Sequence, residues 1–168
     1  MNRINILIPA ADGHSLAWET IQGIAMQSSP CNVVILSRPR AHSSDAGLIR
    51  DSEAGNRNLL KQYASDPFVF YCDSDVVFTS NSDVSDSIKF LIENPDWDAV
   101  ALNTKESQNI YAAMGIKHVP IACVCIRTSA LREYTFTGNH DECCCIDFNK
   151  KLKIQYLDDR KLIEVKRK

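Results

Sequence analysis

Short apolar runs alternate with amphipathic stretches along the 168 residues. Strands covered on both faces by helices read as continuous apolar runs, so this alternation predicts an α/β layer sandwich. Six runs rich in β-branched and aromatic residues are expected as strands: Ile4 to Ile8, Asn32 to Ser37, Phe68 to Cys72, Asp98 to Leu102, Ile121 to Ile126 and Lys153 to Leu157. Between them, Ser15 to Gln27 spaces Leu16, Thr20, Ile24 and Gln27 along one helical face, with Trp18, Ile21 and Ala25 beside it. Ser52 caps a second predicted helix reaching Tyr63, with Glu53 in its first turn and Leu59, Leu60 and Tyr63 as its apolar stripe. A third runs from Asp83 to Glu93 with Ile88, Leu91 and Ile92 inward, and Asn94-Pro95 ends it. Arg38 to Gly47 and Thr104 to His118 show little periodicity and read as loops. The expected fold is a three-layer α/β/α sandwich on a mostly parallel sheet, one domain over residues 1–168.

Composition narrows the function classes. A formal net charge of −2 and a pI near 6.1 provide no global basic field, so nucleic acid is not an expected partner and anionic ligands must be held locally. The four cations Lys161, Lys166, Arg167 and Lys168 read as a solvated tail. Apolar stretches fall well short of the roughly 20 residues needed to cross a bilayer, so no membrane span is expected. The opening segment lacks the long apolar core and small-residue cleavage site of a signal peptide, and is read as the first strand. Seven cysteines, an odd number without a secretory signal, fit reduced thiols and a cytoplasmic location. Cys143, Cys144 and Cys145 are adjacent; helical side chains so placed point three ways and cannot converge on one ion.

The strongest chemical signal is Phe68-Val69-Phe70-Tyr71-Cys72-Asp73-Ser74-Asp75, an apolar strand ending abruptly in two carboxylates. Residues i and i+2 of an extended chain share a side. Hard oxygen ligands of this kind suit Mg²⁺ or Mn²⁺ bridging to phosphate oxygens, where the cation neutralises charge on a departing diphosphate. In open α/β sheets ligands bind at the carboxyl ends of strands, which is where this pair falls.

Taken in order, further segments carry a family resemblance. Ile4 to Pro9 precedes a helix with Glu19-Thr20-Ile21-Gln22-Gly23-Ile24-Ala25-Met26-Gln27; Ala54-Gly55-Asn56-Arg57-Asn58 lies shortly before the Asp-x-Asp strand; Pro95 to Val100 follows it. Then come Ile121 to Arg127 and Gly138-Asn139-His140-Asp141-Glu142 leading into Cys143 to Phe148. Over nearly its whole length the chain resembles a family 2 glycosyltransferase of the GT-A fold. That resemblance implies Asp73 and Asp75 as ligands of Mn²⁺ or Mg²⁺, and Pro9, Arg57, Asn58, Asp73 and Ser74 around a nucleotide-sugar donor, a UDP-sugar first. It implies Asp141 as the base that takes the acceptor hydroxyl's proton in an inverting transfer, with Glu142 as substitute. The acceptor is unknown.

The chain also departs from the family's pattern. Ser37-Arg38-Pro39 stands where relatives carry an Asp that reads the nucleobase, His140 stands where Glu is common, and no His follows Lys161 to Val165 to complete the metal site. The Gln-x-x-Arg-Trp signature of processive synthases is missing, which points to single transfers. His14, His42 and His118 are assigned no role. Other readings stay open: a non-catalytic GT-A-like binding module, a nucleotidyltransferase suggested by Ile6 to Gly13, and a phosphatase of the haloacid-dehalogenase type, whose nucleophile also lies in Asp-x-Asp.

Overall fold

The computed structural model describes residues 3–10, 17–37, 55–104, 122–136, 148 and 150–164. In chain order these form β1 (Ile4–Ala10), α1 (Trp18–Ala25), β2 (Cys31–Ser37), a short helix α2 (residues 55–60) tightening into a 3₁₀ turn (Lys61–Tyr63), β3 (Phe68–Cys72) and β4 (Val76–Val77). α3 (Asp83–Glu93), β5 (Ala99–Thr104), β6 (Cys123–Arg127), α4 (Thr128–Glu133) and β7 (Ile154–Glu164) follow. The predicted loop Arg38 to Gly47, most of Thr104 to His118, and Cys143 to Cys145 lie outside the described residues.

The strands make one seven-stranded sheet in the order β2-β1-β3-β6-β5-β7-β4. β1 is parallel to β2 and β3, and β5 is parallel to β7. β6 is antiparallel to β3 and β5, and β4 is antiparallel to β7. Five of the seven strands therefore run one way, as the expected fold requires, with β6 inserted in reverse. The register of β5 with β7 breaks after Leu102, where Leu157 is its partner and Asn103 next meets Lys161. Beyond that irregularity β7 turns to β4, pairing Glu164 with Val76. Lys161, read from sequence as part of a solvated tail, instead lies within β7, which runs on past the predicted end at Leu157.

Helices cover both faces. Leu7, Val69, Tyr71, Ala101, Val124 and Ile126 meet Leu60 of α2 and Leu131 of α4. Ile6, Ile8, Phe70, Val100 and Cys125 meet Ile24 of α1 and Val84 and Leu91 of α3. Period-2 alternation along each strand sorts its side chains between these two cores.

Two helical stripes differ from expectation. In α3 the buried line is Asp83, Val84, Ser87 and Leu91, while Ile92 is 63% exposed. Small Ser87, its hydroxyl bonded to the Asp83 carbonyl at 2.7 Å, lets the helix lie close on that line, which leaves Ile92 a hundred degrees off it. In α2 the buried residues are Asn56, Arg57 and Leu60, and Leu59 and Tyr63 face outward because polar residues take the inner positions.

Candidate functional site

The chain leaves β3 where the two carboxylates stand. The amide of Asp73 donates to the Ala122 carbonyl at 2.7 Å, extending the β3–β6 ladder by one residue. The chain then turns at Ser74 and Asp75 into β4. The extended geometry expected for Asp73 and Asp75 is thus replaced by a turn, because Val76 and Val77 must swing across to pair with the end of β7.

Two helices bracket this turn. α1 lies along it as a splint. The Ser74 carbonyl accepts from the Ala17 amide at 2.9 Å and the Thr20 hydroxyl at 3.2 Å. Midway, Gly23 lies against Phe78 so closely that a Cβ there would stand 3.1 Å from the Phe78 backbone nitrogen. At the far end Gln27 donates to the Ser80 carbonyl at 2.8 Å and accepts the Val84 amide at 3.0 Å, and the Ser28 amide bonds Asn81 at 2.7 Å. Gln27, placed by the sequence on one face of the first helix with Leu16, Thr20 and Ile24, ties α1 to the start of α3.

α2 closes the other side. Arg57, 2% exposed, sets its Nη2 3.4 Å from Oδ1 of Asp73, which is 35% exposed. A guanidinium carried in the core therefore presents its charge to a carboxylate at the rim, a partly buried pair that solvent and salt screen less than an exposed one. The Tyr71 hydroxyl donates to the Arg57 carbonyl at 2.6 Å, fixing the backbone that carries the guanidinium. Burial pushes the Tyr71 phenol well above its ordinary pKa of 10.0, with the Arg57 charge partly offsetting it.

The other residues singled out in the sequence divide. Pro9 lies buried in β1 opposite Leu36 of β2, at the carboxyl end of the sheet. Ser74 is buried, its carbonyl engaged by α1. The Asn58 amide meets not the Asp73 turn but the backbone of Phe136, donating at 2.8 Å and accepting at 2.9 Å. Asp141 and Glu142 lie outside the described residues, as do His14, His42, His118 and His140. Asn56 was passed over in the sequence. It is buried beside Arg57, and its Oδ1 has no hydrogen-bond partner among the described residues; a polar residue amid Ala54 and Gly55 was the available signal.

Burial disfavours the thiolate at Cys31, Cys123 and Cys125. Cys72, Cys123 and Cys125 are buried and free, and Cys72 stands opposite Cys123 across β3 and β6. Burial first, and then contact with Cys72, drives Cys123 upward, and burial pushes Cys31 up to about 11, so these sulfurs stay protonated at neutral pH. No group of three or more metal-binding side chains occurs among the described residues. Asp73 and Asp75 offer carboxylate oxygens, the hard donor type that suits Mg²⁺ or Mn²⁺.

No protein-family model matches the sequence, and no curated protein is similar to it. Solved structures are similar across almost the whole chain. The mannosyltransferase PcManGT from Pyrobaculum calidifontis, in complex with GDP-Man and Mn²⁺, superposes with a TM-score of 0.69 at 14% identity, covering 96% of this chain and 56% of that one. TarS 1-349 of S. aureus, in complex with UDP-GlcNAc, gives 0.70 at 16%, covering 99% and 59%. Glucosyl-3-phosphoglycerate synthase from Mycobacterium tuberculosis, with Mg²⁺ and UDP, gives 0.67 at 13%, covering 99% and 72%. The fold is that of the GT-A glycosyltransferases. The chain spans little more than half the length of the first two proteins.

Proposed function

We propose that residues 1–168 form one metal-dependent glycosyltransferase unit, which moves a sugar from a nucleoside-diphosphate donor to an acceptor hydroxyl by single, inverting transfers. The observation that carries this is the Asp73–Asp75 turn at the carboxyl end of β3, held by α1 on one side and by buried Arg57 on the other. That the similar structures hold GDP-Man, UDP-GlcNAc and UDP with Mn²⁺ or Mg²⁺ supports the donor class.

In this reading Asp73 and Asp75 hold Mn²⁺ or Mg²⁺, which when bound offsets charge on the leaving diphosphate. Arg57 orients Asp73 and adds positive charge beside it, and Pro9 and Ser74 line the donor. Asp141, or Glu142, takes the proton of the acceptor hydroxyl as the bond from sugar to phosphate breaks. No described helix is long and apolar enough to cross a membrane, and the free thiols suit the cytoplasm we assign.

The test is nucleotide binding and donor hydrolysis in the wild type and Asp73→Asn. UDP or GDP with Mn²⁺, at about 100 times its dissociation constant, should stabilise the wild type by about 2.7 kcal/mol. Asp73→Asn should lose that Mn²⁺-dependent stabilisation and about a hundredfold or more of hydrolysis of UDP- or GDP-sugars. Hydrolysis unchanged by the substitution leaves a binding module; pyrophosphorolysis in the wild type points to nucleotidyl transfer.

A further inference from the structure

The amino ends of β1 and β2 lie on the rim opposite Asp73, and polar side chains gather there as well. Apart from Asn5, β1 is apolar throughout, yet Asn5 is only 9% exposed. Its carboxamide donates to the Tyr63 carbonyl at 2.7 Å and to the Ser65 hydroxyl at 3.2 Å, and accepts the Asn32 amide at 3.2 Å. Asn32 in turn accepts from Nη1 of Arg3 at 3.5 Å. These residues, with Gln62, line an open cleft of about 720 Å³.

The bonds within this cluster leave donors facing the cleft. Both N–H groups of Asn5 are engaged inside the protein. Left over are the O–H of Ser65, whose oxygen accepts from Asn5, the second N–H of Asn32, and the remaining N–H groups of Arg3. Arg3 is the only charged side chain lining the cleft, and it has no carboxylate partner among the described residues. Donors set around an unopposed guanidinium select an oxyanion. The cleft also falls in the range of about 300–1,000 Å³ that holds an organic molecule. Among its lining residues Tyr63, 45% exposed, carries a ring and Gln62 a carboxamide, which suit the C–H face and the hydroxyls of a sugar.

We propose that this cleft is a second ligand site, which takes a sugar bearing an oxyanion, phosphate or carboxylate, without a metal ion. Arg3, Asn32 and Ser65 hold the oxyanion, and buried Asn5 fixes Asn32 and Ser65 in place. Asn5 is the register partner of Val69 in β3, and Asp73 lies four residues further on, about 13 Å along the strand. A monosaccharide bound at Arg3 is therefore held apart from the Asp73 turn, and the two sites fill independently.

The experiment is titration calorimetry of the full chain with glucose 6-phosphate, glucuronate, glucose and inorganic phosphate, in EDTA so that no metal-dependent site contributes. The wild type should bind glucose 6-phosphate or glucuronate at least about tenfold more tightly than glucose, and the tighter of the two identifies the oxyanion. Arg3→Gln should weaken that binding about tenfold or more, and Ser65→Ala about threefold. Arg3 and Ser65 are both exposed, so neither change touches the core. Asp73→Asn should leave the affinity as it is. Unchanged affinity in Arg3→Gln would overturn the proposal, as would binding lost in Asp73→Asn or a wild type that binds none of the four. Inorganic phosphate held as tightly as glucose 6-phosphate would overturn the assignment to a sugar. None of these outcomes depends on nucleotide binding, so failure here leaves the glycosyltransferase reading standing.

Discussion

The two faces of the sheet are built for different work. Under α1 and α3 lie aliphatic side chains, thiols and the edge-on pair Phe70 and Phe78, a core that contributes burial and holds its helices by polar contacts at the rim, through Gln27 and Ser28. Under α2 and α4 lie Tyr71, Tyr134, Phe136 and Phe148, whose rings touch one another and whose surroundings are tied by hydrogen bonds to Arg57, Asn58 and Lys61. A core of interchangeable methyl groups tolerates small shifts. The core of directed rings and hydrogen bonds links Asp73 to Phe136 through Arg57 and Tyr71.

Substitutions on the two faces should separate stability from binding. The largest loss of stability is expected from Leu91→Ala on the aliphatic face: Leu91 is fully buried, and its truncation should cost about 2–5 kcal/mol in denaturant unfolding. Mn²⁺-dependent nucleotide affinity of the folded fraction should stay unchanged, and a parallel fall in affinity would break the contrast. Gly23→Ala should cost about 1–3 kcal/mol, because a Cβ 3.1 Å from the Phe78 nitrogen pushes on backbone. It should also weaken nucleotide binding, since Phe78 belongs to the loop that α1 splints; unchanged binding would mean the loop absorbs the shift.

The smallest stability change is expected on the ring face. Tyr71→Phe removes one hydrogen bond, worth about 0.5–1.5 kcal/mol, yet it should lower nucleotide affinity by loosening the backbone of Arg57. Its pH signature is separate. A phenol whose pKa is raised on folding lends stability that is fully present below its ordinary value of 10.0 and fades as pH climbs above it. Denaturant midpoints between pH 8 and 11 should therefore fall more steeply for the wild type than for Tyr71→Phe. Parallel slopes would show that the phenol does not govern alkaline stability.

The strands were legible because continuous apolar runs such as Val69 to Cys72 have no other good explanation at that length. β4 escaped notice, since Val76 and Val77 form a strand only through pairing with Ile163 and Glu164 far along the chain. α4, six residues following directly on β6, has too little period to show. The site divides in the same way. Asp73 at a strand end was visible locally, and so was the Arg57 motif. The partner of Asn58 lies 78 residues away, and no pattern within the Arg57-Asn58 segment encodes it. The exposure of Ile92 was equally hidden, for it depends on which line of α3 the sheet accepts.

The reversed strand β6 has a consequence for how such a molecule can diversify. Because β5 runs with β3 and β6 runs against it, the connection between Thr104 and Ala122 departs from and returns to the same rim where Asp73 stands. Its two described ends, Thr104 and Ala122, both lie on that rim, so a substitution at either falls on the carboxylate side of the sheet, whereas the turn from β6 into α4 falls on the other. Sequence change on one rim is thereby kept apart from sequence change on the other.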